Sequence, residues 1–180
     1  MSHSFDFVGL SEKLFLLRHL ISGTREYCRK EKLVQGPINY EDDWSNYYLR
    51  LQYLVSNDLI ESAAKLRVIQ DSSLSQLSES DIRDLDADCL KGQNIGQVIK
   101  GSFYLTLRES CNKIIHATKF ELSVTGSRNS NPYYRYSYWN GRCQLMGVHS
   151  GRPWHVELNL YNWCNAMEYF LEELSGNVDW

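Results

Sequence analysis

The chain lacks most of the short signatures that announce a chemistry. Its five cysteines (Cys28, Cys89, Cys111, Cys143 and Cys164) form no CxxC pair and show no metal-ligand spacing. An odd, dispersed set fits reduced thiols in a cytoplasmic protein better than a disulfide framework. No apolar stretch approaches the roughly 20 residues needed to span a bilayer. The opening "MSHSFDFVGL" has no basic region followed by an apolar run, so neither a signal peptide nor a membrane anchor is expected. A Walker loop, a nucleophile elbow and a dinucleotide fingerprint are all missing. The acidic stretch "ESDIRDLDAD" lacks the glycine and terminal glutamate of a calcium loop and reads as a solvated connector. There is no basic excess either: 19 Lys and Arg against 22 Asp and Glu give a net charge of -3. That argues against a coat for nucleic acid of any sequence and leaves room for a local basic pocket.

What is present is enough for one soluble domain with a closed core, since 43% of residues are hydrophobic and 23% charged. Leu10, Leu14, Leu17 and Ile21 recur at helical spacing, and with Ser11 as cap they predict a helix over about 11–33. "QGPIN" is a turn. Trp44, Tyr48, Leu51, Val55, Leu59, Ala63 and Leu66 then form one apolar stripe of a second long helix, with a bend near Ser56–Asp58. Residues 71–96 read as a connector with a short helix around 79–90. A third long helix is expected over about 97–117.

From residue 118 the period changes to two. Phe120, Leu122 and Val124 alternate, as do Tyr134, Tyr136 and Tyr138, and then Trp154, Val156 and Leu158. Hairpins are expected at 126–132, at Asn140-Gly141 and at 149–152. A last helix follows over about 161–174, with Gly176 as its stop. The class is therefore α+β. A bundle of four long helices (10–117 and 161–175) carries an antiparallel β-hairpin insertion (118–160), all in one domain spanning 1–180.

The stretch "RESCNKIIHA" (108–117) holds the most pointed chemistry. On a wheel of about 100° per residue, Phe103, Tyr104, Leu107, Cys111, Ile114 and Ile115 fill one apolar arc. Arg108, Asn112 and His116 form a polar row along its border, with Lys113 beside them. A guanidinium, a carboxamide and an imidazole on successive turns suit contact with a phosphate. The same row is also what the polar edge of a packed helix looks like.

Asn112 and His116 in "CNKIIH" resemble the motif helix of the HEPN superfamily, with Cys111 where that family carries arginine and Arg108 one turn earlier. The resemblance implies a helical, commonly homodimeric protein of prokaryotic defence or toxin–antitoxin type. Many members are endoribonucleases that use no metal or other cofactor, and others are inactive scaffolds. In an active member, His116 would be the general acid or base, Arg108 would stabilise the phosphate, and Asn112 would orient either group. The resemblance leaves open whether this chain is an enzyme.

Two further regions are candidates. The strip "RNSNPYYRYSYWNGR" interleaves Tyr133, Tyr134, Tyr136, Tyr138 and Trp139 with Arg128, Arg135 and Arg142. Aromatic stacking with cationic contacts grips single-stranded nucleic acid, so Lys113, Arg135, Trp139 and Arg142 are expected to bind substrate or a partner. The alternative is a non-catalytic module (an antitoxin, immunity or adaptor subunit) that binds a protein through these aromatic hairpins. His149 and His155, with His116, could supply three imidazoles, but no spacing ties them together, and no metal site is expected. RNA, a second copy of the chain and a protein partner are the candidate partners.

Overall fold

The computed structural model describes residues 6–36, 42–128, 133 and 135–177. The elements run α1 (Phe7–Lys30), α2 (Asp43–Ser73), α3 (Glu79–Asp88), β1 (Gly96–Lys100), α4 (Leu107–Ile115), β2 (Lys119–Gly126), β3 (Ser137–His149), β4 (Arg152–Asn159) and α5 (Leu160–Asn177). The expected bundle of four long helices with a hairpin insertion is overturned, while the α+β class holds. Five helices stand with one four-stranded antiparallel sheet of order β1-β4-β3-β2.

Two local features account for the difference. Residues 97–100, expected to open the long helix over about 97–117, belong instead to the edge strand β1, which pairs with β4. Gly96 (φ 149°) and Gly101 (φ 122°) bracket it in backbone conformations that a helix interior does not use. At Gly96 a side chain would also collide with the Glu157 carbonyl oxygen. The helix that follows is only 9 residues long. Second, Asn140-Gly141 is no hairpin. It lies inside the 13-residue β3, where pairing jumps from Leu122↔Cys143 to Val124↔Trp139. The extra residues form a bulge, with Gly141 at φ 82°.

The other helices stand where they were expected, with corrected ends. Asp6 caps α1 by accepting from the Gly9 amide at 2.8 Å, so the helix starts a turn before Ser11. Asp42 caps α2, which runs as one helix, and Ser78 and Asp81 form a capping box on α3. Helix α5 continues through Gly176. The expected turn at 35–39 and hairpin at 126–132, as well as Tyr134, fall partly or wholly outside the described residues.

Helices α1, α4 and α5 lie against one face of the sheet, and α2 packs on α1 and α4. That face supplies Cys143, Leu145, Trp154, Val156 and Leu158 to the core, in register across β3 and β4, together with Trp139, which pairs with Val124 of β2. All five cysteines are buried and unpaired. A second, smaller cluster matters more for function. Cys28, Leu33 and Trp44, backed by Tyr47, Val124, Tyr136 and Tyr138, tie the end of α1 to the start of α2 and to the β2–β3 end of the sheet.

Helix α1 stops in a Schellman arrangement. The Leu33 amide donates to the Cys28 carbonyl at 3.0 Å and the Lys32 amide to Arg29 at 3.4 Å. Lys32 takes the left-handed position at φ 52°, where glycine is usual. A side chain there costs about 1 kcal/mol relative to glycine. The chain is then stitched to β3, because the Ser137 amide donates to the Leu33 carbonyl at 2.7 Å and the Gln35 amide to Ser137 Oγ at 2.9 Å. No helix among the described residues is long and apolar enough to cross a membrane.

Candidate functional site

The row on α4 is tied into its surroundings at one end and open at the other. Arg108 donates to Asp71 at 2.6 Å and to Gln70 at 3.3 Å, both on α2. Asn112 donates to Glu109 at 3.0 Å. His116 caps the helix and is exposed. Eight residues at 1.5 Å separate Arg108 from His116 by about 12 Å along the axis, and the guanidinium points away toward α2. Within one protomer the two do not converge on a phosphate. Cys111, at the position where the HEPN arginine would stand, is fully buried, and burial pushes its thiol far above the ordinary value.

The neighbouring binding candidates also have structural tasks. Lys113 is buried, paired with Glu109 at 2.9 Å, and its ammonium sits 4.1 Å from the Phe103 ring centre and 4.8 Å from that of Trp154. Trp139 is a core residue whose indole donates to the Arg142 carbonyl at 2.7 Å. Arg142 lies on the outer face of the sheet and pairs with Glu157 at 2.6 Å. Glu157 also accepts from Gln144 at 2.7 Å, and Gln144 meets His155 at 2.7 Å. This polar lattice joins adjacent strands across β3 and β4. His116, His149 and His155 are not brought together, and no metal-holding group of three or more donors occurs among the described residues.

The sequence expectation that does converge is Arg135. It lines a cleft of about 680 Å³ between the end of α1 and the β2–β3 end of the sheet. Helix α1 contributes Arg25 and Arg29, and its left-handed stop contributes Lys32. The β2–β3 connection contributes Arg128, Tyr133 and Arg135. Tyr136 and Tyr138 stand between the two groups, and no carboxylate is among the described lining residues. In a chain of net charge -3, five cations around one cleft are a local reversal of sign.

Several contacts hold this site in shape. Arg25 donates to the Tyr136 hydroxyl at 3.4 Å and lies 5.5 Å over the Tyr138 ring. The two rings are 5.9 Å apart. The neck of the β2–β3 connection is clasped, with the Ser127 amide donating to the Tyr136 carbonyl at 2.7 Å and the Tyr136 amide to Ser127 Oγ at 3.0 Å. Arg29 donates from Nε to Glu26 at 2.9 Å and makes a second bond from its terminal nitrogen. Those bonds hold the exposed Glu26 carboxyl below its ordinary value.

Sequence reasoning missed Arg25, Arg29 and Lys32. Arg25 and Arg29 share one face of α1 and Lys32 follows at its stop, and the spacing of four and three is visible in "REYCRKEK". Nothing local says that they face a tyrosine-rich strand more than 100 residues away. No family model, curated protein or solved structure matches the chain.

Proposed function

We propose that this chain is an RNA-binding protein that holds its ligand in the cleft between α1 and the β2–β3 connection. The observation that carries the reading is the convergence of Arg25, Arg29, Lys32, Arg128 and Arg135 with Tyr133 around one concavity of about 680 Å³. Cations supply the affinity for a phosphate backbone, and aromatic faces supply stacking for bases. The resemblance of Asn112 and His116 to the HEPN motif supplies the setting we propose, RNA-linked defence or toxin–antitoxin biology in the prokaryotic cytoplasm. In that setting the chain works without catalysis, as an RNA-recognising subunit.

The test is binding of a fluorescein-labelled RNA oligonucleotide, followed by anisotropy across a salt series. Arg128→Glu is expected to weaken binding at least tenfold and to flatten the salt dependence, with the thermal melt unchanged. If the intact protein fails to bind RNA at low salt, the reading is wrong.

A second reading, ribonuclease activity, is favoured by one observation: His116 is exposed at the end of α4. It requires a second protomer to bring a partner group to His116, because Arg108 is turned to Asp71. Induced expression of the intact chain and of His116→Ala, scored for RNA cleavage and growth arrest, separates the two. Cleavage that vanishes in a folded His116→Ala variant establishes catalysis. Absence of cleavage by the intact chain leaves binding alone.

A further inference from the structure

We infer that the cleft takes single-stranded RNA and excludes duplex, with phosphates along Arg25, Arg29 and Lys32 and a base stacked on Tyr133. The inference rests on the RNA-binding reading and goes on to name the form of the ligand and its direction in the site. Size comes first. A concavity of about 680 Å³ falls in the range of about 300–1,000 Å³ that encloses a small organic molecule. It accommodates a nucleotide or two at a time. A duplex presents its phosphates on a broad convex surface and its stacked bases are not free to enter, whereas a single strand can splay a base onto an aromatic ring.

Orientation follows from which lining rings reach the solvent. Tyr136 and Tyr138 are half-buried and seat Arg25, through a hydroxyl contact at 3.4 Å and a ring contact at 5.5 Å. Tyr133, 83% exposed, is the aromatic face at the rim. Arg25 and Arg29 stand one turn apart on α1, about 6 Å of rise, and Lys32 follows just past the helix end at its left-handed stop, so the three cations line the cleft in succession. Arg128 and Arg135 enclose the strand from the other side.

Lys32 supports this assignment from an unrelated direction. It occupies a left-handed position at φ 52° where glycine would be the relaxed choice. A left-handed non-glycine residue at a cleft points to a task for the side chain. Glu26 holds the Arg29 guanidinium from outside the cleft lining, so removing its charge releases that guanidinium for phosphate.

The experiment compares a 12-nucleotide single strand with a hairpin duplex of matching sequence, by anisotropy, on the intact chain and four variants. The single strand is expected to bind at least tenfold more tightly than the duplex. Lys32→Gly is expected to raise the melting temperature by about 2–4 °C, yet to weaken single-strand binding and lower the salt slope by about 0.7, the loss of one phosphate contact. Tyr133→Ala should cost about tenfold, and Tyr133→Phe should restore binding, because stacking uses the ring rather than the hydroxyl. Glu26→Gln should tighten binding severalfold, a gain that damage to the fold would not produce.

If the duplex binds as tightly as the single strand, or if Lys32→Gly and Tyr133→Ala leave single-strand binding unchanged, the inference fails while RNA binding in the cleft stands. If neither RNA binds the intact chain, both fail together.

Discussion

Trp163→Ala is expected to lower stability by about 3–5 kcal/mol, the usual cost of emptying a large buried aromatic site. Trp163 is fully buried on α5, and its indole nitrogen donates to Ser110 Oγ on α4 at 2.8 Å. Ser110 in turn donates to the Leu107 carbonyl at 2.6 Å. The substitution therefore empties a core site and removes the hydrogen bond that ties α5 to α4. Since a domain of this kind is stable by only about 5–15 kcal/mol, the variant sits near the limit of folding. Trp163→Phe separates the two contributions: it keeps most of the volume and loses the donor, for an expected cost of about 1–2 kcal/mol. Urea denaturation of the three proteins measures both, and an alanine variant less than about 1.5 kcal/mol weaker than wild type would contradict this account.

Asp86→Ala is the second large effect, expected at about 2–4 kcal/mol. The Asp86 carboxylate, nearly buried at the end of α3, accepts from the Leu107 amide at 2.7 Å and the Arg108 amide at 3.2 Å. Those amides open α4, and removing their acceptor leaves buried donors without partners. Thr106 caps the same helix through the Glu109 amide at 3.1 Å, so α4 is weakened rather than abolished. Asp86→Asn, which keeps one acceptor oxygen, should recover part of the loss.

The pH dependence has an unusual sign. Burial raises the Asp86 carboxyl above 3.8, partly offset by the Arg108 and Leu107 amides. A raised carboxyl binds its proton more tightly in the folded state than in the unfolded chain. Its contribution is present in full below 3.8 and is lost as pH rises through the folded value. The difference in stability between wild type and Asp86→Ala should therefore widen as pH falls through that window, and a difference that narrows there would refute the assignment.

Individual elements were legible from spacing, because α1, α2 and α5 each bury a regular apolar stripe and β3 and β4 alternate, whereas the way they assemble was not. The misreading at residues 96–117 has a physical cause. Val98 and Ile99 are consistent with either period, and Gly101 taken as a tolerated helical glycine merges a strand with a short helix. Only pairing with β4 decides it, and pairing is a long-range fact. Asn140-Gly141 misled for the converse reason, since the same dipeptide that turns a hairpin also relaxes a bulge. Among the site residues, Arg135 was visible because aromatic and basic residues alternate around it. The α1 contribution was hidden because a row of cations near a helix end is equally the ordinary answer to the helix dipole.

The burial of every cysteine gives the molecule a set of silent chemical reporters. Cys28 lies in α1, Cys89 just after α3, Cys111 in α4, Cys143 in β3 and Cys164 in α5. Burial pushes all five thiols up, Cys89 and Cys164 to about 12. Alkylation needs an accessible thiolate, so the folded protein resists it and each site is modified only when its own element opens. A timed exposure to iodoacetamide, read by peptide mass, therefore records which part of the fold comes apart first. Cys28 reports on the α1 anchor of the cleft and Cys111 on α4.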